Sequence, residues 1–295
     1  MLLIGQSLEL SRAALFDAVR AEDASTLLAR AQAQVDAGAA AIDINTGIRA
    51  DVRDVAWCVR VLREAFPALP LLVDASNAQL IAESLEACGR DGVGGPLVAN
   101  SVAVDMMGAF DTDAPAVLRA AAPLGAGVVI SARHADAPGA IADAEYVAYA
   151  GLRATERARA EGITGPVYLD ALGYPALTDP ARCARSLATL RGWRLVDHAE
   201  PLVAVGNVGY GTASALTSTL RAAYAAAAIG AGARALVLPV EDEATMRAVG
   251  VALGDRAPDG VEDAWLLDVA NASREDRAPS AAPPAYVEAA RLLFG

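Results

Sequence analysis

Leu71-Leu72-Val73-Asp74-Ala75-Ser76-Asn77 is the stretch whose reading decides the fold. Its apolar run opens after Pro70 and stops at a carboxylate, which describes a short strand buried on both faces, as in a parallel sheet. Chemistry in such sheets gathers at the carboxyl ends of the strands, so Asp74 emerges where a ligand would sit. Ser76 or Asn77 can cap the next helix, predicted over residues 78–87, by accepting from its first free N–H groups.

The same unit recurs outward in both directions. Upstream, Leu2-Leu3-Ile4-Gly5 reads as a first strand with a loop at 6–9, a helix follows from Asp23 or Ser25 to Val35 with Gly38 as its stop, and 40–47 gives a second strand. Asp43 and Asn45 share one face of that strand because side chains alternate, and polar groups on a buried face need partners or a ligand. A helical stripe of Val55, Val59 and Leu62 fills 51–66.

Downstream, 96–101 is a fourth strand ending in Asn100-Ser101, 115–122 a short helix and 127–131 a fifth strand. Its following loop, 132–141, carries Arg133 and His134, placed where a loop can close over a substrate. A helix at 142–160 leads to Val167-Tyr168-Leu169-Asp170, a second strand that ends in aspartate. After a helix at 179–190, the seventh strand runs from Leu202 to Asn207 and passes into the glycine-rich Val208-Gly209-Tyr210-Gly211-Thr212. An alanine-rich helix at 213–229 and an eighth strand at 235–239 complete the series.

Eight such units predict an α/β fold, the (β/α)₈ barrel, over residues 1–250. Residues 251–295 are expected to form an extension: turn-like at 255–262, a short apolar piece at 265–270, and a final helix at 286–294 docked on the barrel. The net charge of −12 and pI near 4.6 argue against a nucleic-acid groove, which needs a dense basic surface. Neither a basic leader nor a long apolar run opens the chain, the pattern expected of a cytoplasmic protein. Cys58, Cys88 and Cys183 are far apart and read as buried thiols. The strongly basic residues are all arginine, which excludes a lysine Schiff base, a phosphate-loop lysine and a lysine general base. With His134 and His198 the only imidazoles, no close-spaced metal site is expected, and acid–base work falls to Asp, Glu or Tyr.

In order along the chain, Ile42-Asp43-Ile44-Asn45-Thr46-Gly47, Val73-Asp74-Ala75-Ser76-Asn77, Asn100-Ser101, Tyr168-Leu169-Asp170 and Gly206-Asn207-Val208 resemble the pterin-binding barrels that handle methyltetrahydrofolate. These include the corrinoid/iron–sulfur-protein methyltransferases and the folate domain of cobalamin-dependent methionine synthase. The resemblance covers residues 1–250. It implies that Asp74, Asn100 and Asp170 hold the pterin, that Asn207 lies beside N5 as a binding and catalytic residue, and that Asp43 is catalytic near the same site. The implied substrate is 5-methyltetrahydrofolate or another reduced folate. The implied acceptor is a cobalamin on a separate corrinoid protein, and the implied assembly a homodimer.

Two alternatives stand beside this reading: direct, corrinoid-independent one-carbon transfer to a small molecule, and a barrel that binds pterin without catalysis. Dihydropteroate synthase shares the fold but relies on a lysine in a late loop, so pterin synthesis is not expected. The chain departs from the family at Gly5-Gln6-Ser7-Leu8-Glu9, where Gly-Glu-Arg-Ile/Thr-Asn is usual. It departs again in Gly209-Tyr210-Gly211-Thr212-Ala213-Ser214 after Asn207.

Overall fold

The computed structural model describes residues 1–92, 95–105, 108–132 and 144–295. Strands β1 (Leu2–Glu9), β2 (Ala41–Asn45), β3 (Leu71–Asp74), β4 (Leu97–Val104), β5 (Gly127–Ala132), β6 (Val167–Asp170), β7 (Glu200–Ala204) and β8 (Ala235–Leu238) close in chain order into a parallel barrel. Closure is direct: Leu2 to Gly5 of β1 pair with Ala235 to Leu238 of β8. The helices are α1 (Ala13–Arg20), α2 (Ala24–Asp36), α3 (Val52–Ala65), α4 (Ala78–Arg90), α5 (Ala114–Ala121), α6 (Ala144–Ala160), α7 (Pro180–Trp193), α8 (Ser214–Ala231), α9 (Glu243–Leu253), α10 (Val261–Glu275) and α11 (Val287–Phe294). None of the described helices is long and apolar enough to cross a membrane.

The strands bury both faces, as their apolar runs require. Ile4, Ala41, Leu72, Val98, Val129, Tyr168, Leu202 and Ala235, one from each strand, fill the barrel interior, large beside small. The alternate residues, among them Ile42, Leu71, Val73, Leu169 and Leu236, pack outward against the helices.

Short polar side chains open the helices on the carboxyl face. Asp23 accepts from Ser25 and Thr26, Asn77 from Gln79, Asp179 from Arg182 and Asp242 from Thr245, while Asp51 and Asp54 form a reciprocal capping box. These acids are accounted for by N–H groups that have no partner inside their helices. The acids at the ends of β2, β3 and β6 cap nothing.

Several sequence expectations need correction. Gln6 to Glu9 is not a loop: β1 continues to Glu9 with a shifted register between Gly5 and Leu8, because Leu8 and Leu10 remain fully buried. The short helix α1 is an element that the sequence pattern does not predict. The stretch up to Gly260 is turn-like as expected, but the short apolar piece at 265–270 is the middle of a longer helix, α10, which lies along α8. Asn207 does not end a strand, since β7 stops at Ala204 and Val205–Gly209 turns as a 3₁₀ helix. Arg133 and His134 lie outside the described residues.

Candidate active site

Register brings the polar strand ends into one row. Asn45 of β2 stands opposite Asp74 of β3, and Asp74 opposite Asn100 of β4. Asp43 lies two residues earlier on β2, level with Leu72, so its carboxylate enters the uppermost interior layer and is only 3% exposed. Asp170 closes β6 across the mouth and is likewise buried.

The side chains form a chain of hydrogen bonds. Asn100 Nδ2 donates to Asp43 Oδ1 at 3.1 Å, and Asn45 Nδ2 donates to Asp74 Oδ2. Asp43 and Asp74 also hydrogen-bond to each other, which two carboxylates can do only when one of them holds a proton. Burial pushes the Asp43 carboxyl well above the usual range, the charge of Asp74 adds to this, and the Asn100 amide opposes it. Burial raises Asp74 to about 6, against the pull of the donors Asn45 and Asp43. Asp170 rises to about 7, again chiefly by burial, with the Leu172 N–H lowering it and the Asp74 charge raising it. No arginine pairs with any of these three acids among the described residues.

Asn207 sits beside this row rather than within it. It is exposed on the 3₁₀ turn, and its Nδ2 donates to the Gly173 carbonyl at 3.3 Å. Asp170 Oδ1 accepts from the N–H of Leu172 at 2.9 Å. Two of the expected site residues are therefore tied to consecutive residues of one loop. Gly173 must be glycine there, because a Cβ would stand 2.0 Å from the Ala204 carbonyl oxygen.

Two contributors are not among the site residues expected from sequence. Strand alternation puts Asn45 on the face of Asp43, but its bond to Asp74 depends on the β2–β3 register. Gln6 extends from β1 over the β7 turn so closely that a Cβ on Gly206 would lie 2.0 Å from its Oε1. The signal for Gln6 is the departure from Gly-Glu-Arg at that point. Beside the row, a polar cavity of about 350 Å³ is lined by Ser76, Ser101, Asp111, Ser131 and Leu172 among others, with Ser131 Oγ donating to Ser101 Oγ at 2.8 Å.

Chemically, three acids and four amides around one mouth suit a flat heterocycle with several N–H donors and a carbonyl. Carboxylates accept from ring N–H and amino groups, and an amide both donates and accepts. A profile for the family described as "Pterin binding enzyme" matches residues 8–237. Among solved structures, dihydropteroate synthase from Thermus thermophilus is similar at 20% identity and a TM-score of 0.55, covering 86% of this chain and 93% of that one. The same enzyme in complex with 6HMPPP gives 18% identity and a TM-score of 0.54 over the same shares. At that identity the likeness shows the barrel fold alone. No curated protein matches the chain. The profile spans well over half of the sequence, and the chain belongs to the pterin-binding enzyme family.

Proposed function

We propose that this protein is a methyltransferase that takes a methyl group from 5-methyltetrahydrofolate, with a cobalamin carried by a separate corrinoid protein as acceptor. The observation that carries the reading is the Asn45–Asp74–Asp43–Asn100 row with Asp170 across the mouth, where Asp43 and Asp170 are buried, Asp74 is half-buried, and all three are only partly satisfied. Asp74, Asp170 and Asn100 hold the pterin edge. In the transfer, the N5–methyl bond breaks with its electron pair remaining on N5, which takes up a proton, while the methyl carbon bonds to the acceptor. Asn207 meets N5 as that positive charge or proton arrives, and Asp43 is the neighbouring acid, whose hold on a proton burial strengthens. In this reading residues 1–250 are the pterin-binding unit, 251–295 an extension on it, and the protein works as a cytoplasmic homodimer.

The serine-lined cavity beside the row favours a second reading, direct transfer of a one-carbon unit to a small polar acceptor without a corrinoid.

Calorimetric titration with methyl-, methylene- and unsubstituted tetrahydrofolate tests the pterin site. Asp74→Ala should weaken binding by about 1.5–3 kcal/mol and Asp74→Asn by less, since the amide keeps one acceptor but loses the charge. A folded Asp74→Ala protein binding as tightly as the parent would remove the assignment. In single-turnover transfer to cobalamin, Asn207→Ala should slow the reaction on the order of 10²-fold while changing affinity by about tenfold or less. Transfer to a small molecule with no activity toward cobalamin would select the second reading.

A further inference from the structure

We infer that Ser186, on α7 beneath the mouth, is a positioning residue that sets Asp170 and Asn207 together. This rests on the reading of those two residues as pterin contacts. Ser186 is fully buried. Its Oγ lies 2.5 Å from the Leu172 carbonyl and 3.0 Å from the Arg182 carbonyl one turn back on α7. A serine within a helix ordinarily bonds back to its own helix. Here the single hydroxyl hydrogen has a shorter route to the loop.

Leu172 needs such a hold. Its φ of +61° is the left-handed region, which a leucine occupies only when its surroundings impose it. Three side chains act on this loop: Asp170 takes the Leu172 N–H, Ser186 donates to the Leu172 carbonyl, and Asn207 donates to the Gly173 carbonyl. Two of the three are the contacts that have to be aimed. The third is itself fully buried on α7, bonded to the Leu172 and Arg182 carbonyls and set against the buried Tyr224 hydroxyl, so it is the fixed point. With it, residues 172–173 keep one orientation, and the peptide units on either side of the carbonyl that Ser186 holds present the Leu172 N–H to Asp170 and the Gly173 carbonyl to Asn207. Without it, both lose the same reference.

Amide NMR on the full chain without ligand, from pH 5 to 9, reads this directly. In the parent the Leu172 amide proton should move as Asp170 ionises near pH 7, with Asp74 and Asp43, the other acids facing it, adding smaller inflections. Ser186→Ala should reduce that movement by about half or more and weaken 5-methyltetrahydrofolate binding roughly fivefold, as for one lost neutral hydrogen bond. Ser186→Thr, which keeps the hydroxyl, should restore both. Ser84→Ala should change neither, because the Ser84 hydroxyl is equally buried but has no partner among the described residues. An unchanged Leu172 titration in Ser186→Ala overturns the inference, and so does failure of threonine to restore it. If the parent binds no reduced folate, the proposed function fails while the amide titration still decides the role of Ser186.

Discussion

At the amino-terminal end of the barrel the two terminal nitrogens of a buried arginine are met by main-chain carbonyls, whereas at the carboxyl end two buried acids and a half-buried one are met by amides and by one another. Arg63 of α3 is 9% exposed, and its guanidinium donates to Phe66 at 3.4 Å, Pro67 and Leu69 at 2.8 Å, and Pro96 at 3.0 Å. Those carbonyls belong to the segments that lead into β3 and β4. Gly95, at φ +96°, makes room: a Cβ there would lie 2.7 Å from the guanidinium carbon. The carbonyl dipoles belong to the folded chain, so folding itself meets this charge except at Nε, which has no partner among the described residues. The acids at the mouth keep an unmet cost that a donor-bearing ligand relieves. One end therefore stabilises the barrel and the other holds back stability for binding, in keeping with the division of labour between barrel faces.

The sharpest way to break this contrast is to remove the guanidinium. Arg63→Ala strips the donor from the Pro67 and Leu69 carbonyls, removes a second donor from those of Phe66 and Pro96, and empties a packed site, which should cost about 3–5 kcal/mol. At this chain length that lowers the melting temperature by roughly 6–20 °C. Reduced-folate affinity of the folded variant should be unchanged, because nothing at the mouth contacts Arg63. Urea unfolding and calorimetry on one preparation check both halves. A loss below about 1 kcal/mol would mean that water serves those carbonyls as well as the arginine does.

The opposite end should respond in the opposite direction. Asp170 has a folded pKa of about 7, above the roughly 3.9 of an unfolded aspartate. Below pH 4 both states hold the proton and the group contributes no penalty. Between about 4 and 7 the unfolded chain releases a proton that the folded chain keeps, so stability falls as pH rises through that window. Asp170→Asn carries no such proton. It should match the parent near pH 4 and exceed it at pH 8 by on the order of 2–4 kcal/mol, while binding reduced folate more weakly. Raised values at Asp43 and Asp74 push the parent the same way but are common to both proteins. Equal stability at pH 8 would mean that the ionised carboxylate is already satisfied in the empty site.

How far this contrast is legible in the sequence depends on whether a residue acts through its own strand or through its neighbours. Asp74 and Asp170 are legible because an apolar run ending in a carboxylate is a local pattern, and so are the eight strands. The Asp43–Asp74 and Asn45–Asp74 bonds are not, since they follow from register between strands about 30 residues apart. β1 looks like a loop after Gly5 because the register shift disturbs the alternation of Gln6-Ser7-Leu8-Glu9. α10 is hidden by Asp263, a fully buried acid that interrupts the apolar face and is held by Arg247 Nε at 2.6 Å. α1 starts at Arg12 with no side-chain cap to announce it. Arg63 is invisible as a structural centre, because a guanidinium that bonds only carbonyls leaves no complementary residue in the sequence.

The smallest expected effect tests the contrast most finely, at Asn45. Its Nδ2 donates to Asp74 while its Oδ1 accepts from the Gly47 N–H at 3.0 Å, so it serves both the site and a turn. If the first role matters, Asn45→Ala removes a donor that holds the Asp74 carboxyl down, and that value should climb above about 6. At neutral pH more of Asp74 would then carry a proton and fewer molecules could accept from the pterin. Folate affinity should fall about two- to fivefold at pH 7, the scale of one hydrogen bond, and converge on the parent by pH 9 where Asp74 is ionised in both. If Asn45 instead serves only the turn at Gly47, where φ is +57° and a Cβ would lie 2.9 Å from Ser11 Cβ, the loss should be the same at every pH. Titrating one reduced folate against parent and Asn45→Ala from pH 6 to 9 separates the two. A pH-independent difference would assign Asn45 to the scaffold, leaving Asp43 as the sole polar residue on β2 that tunes the charge at the mouth.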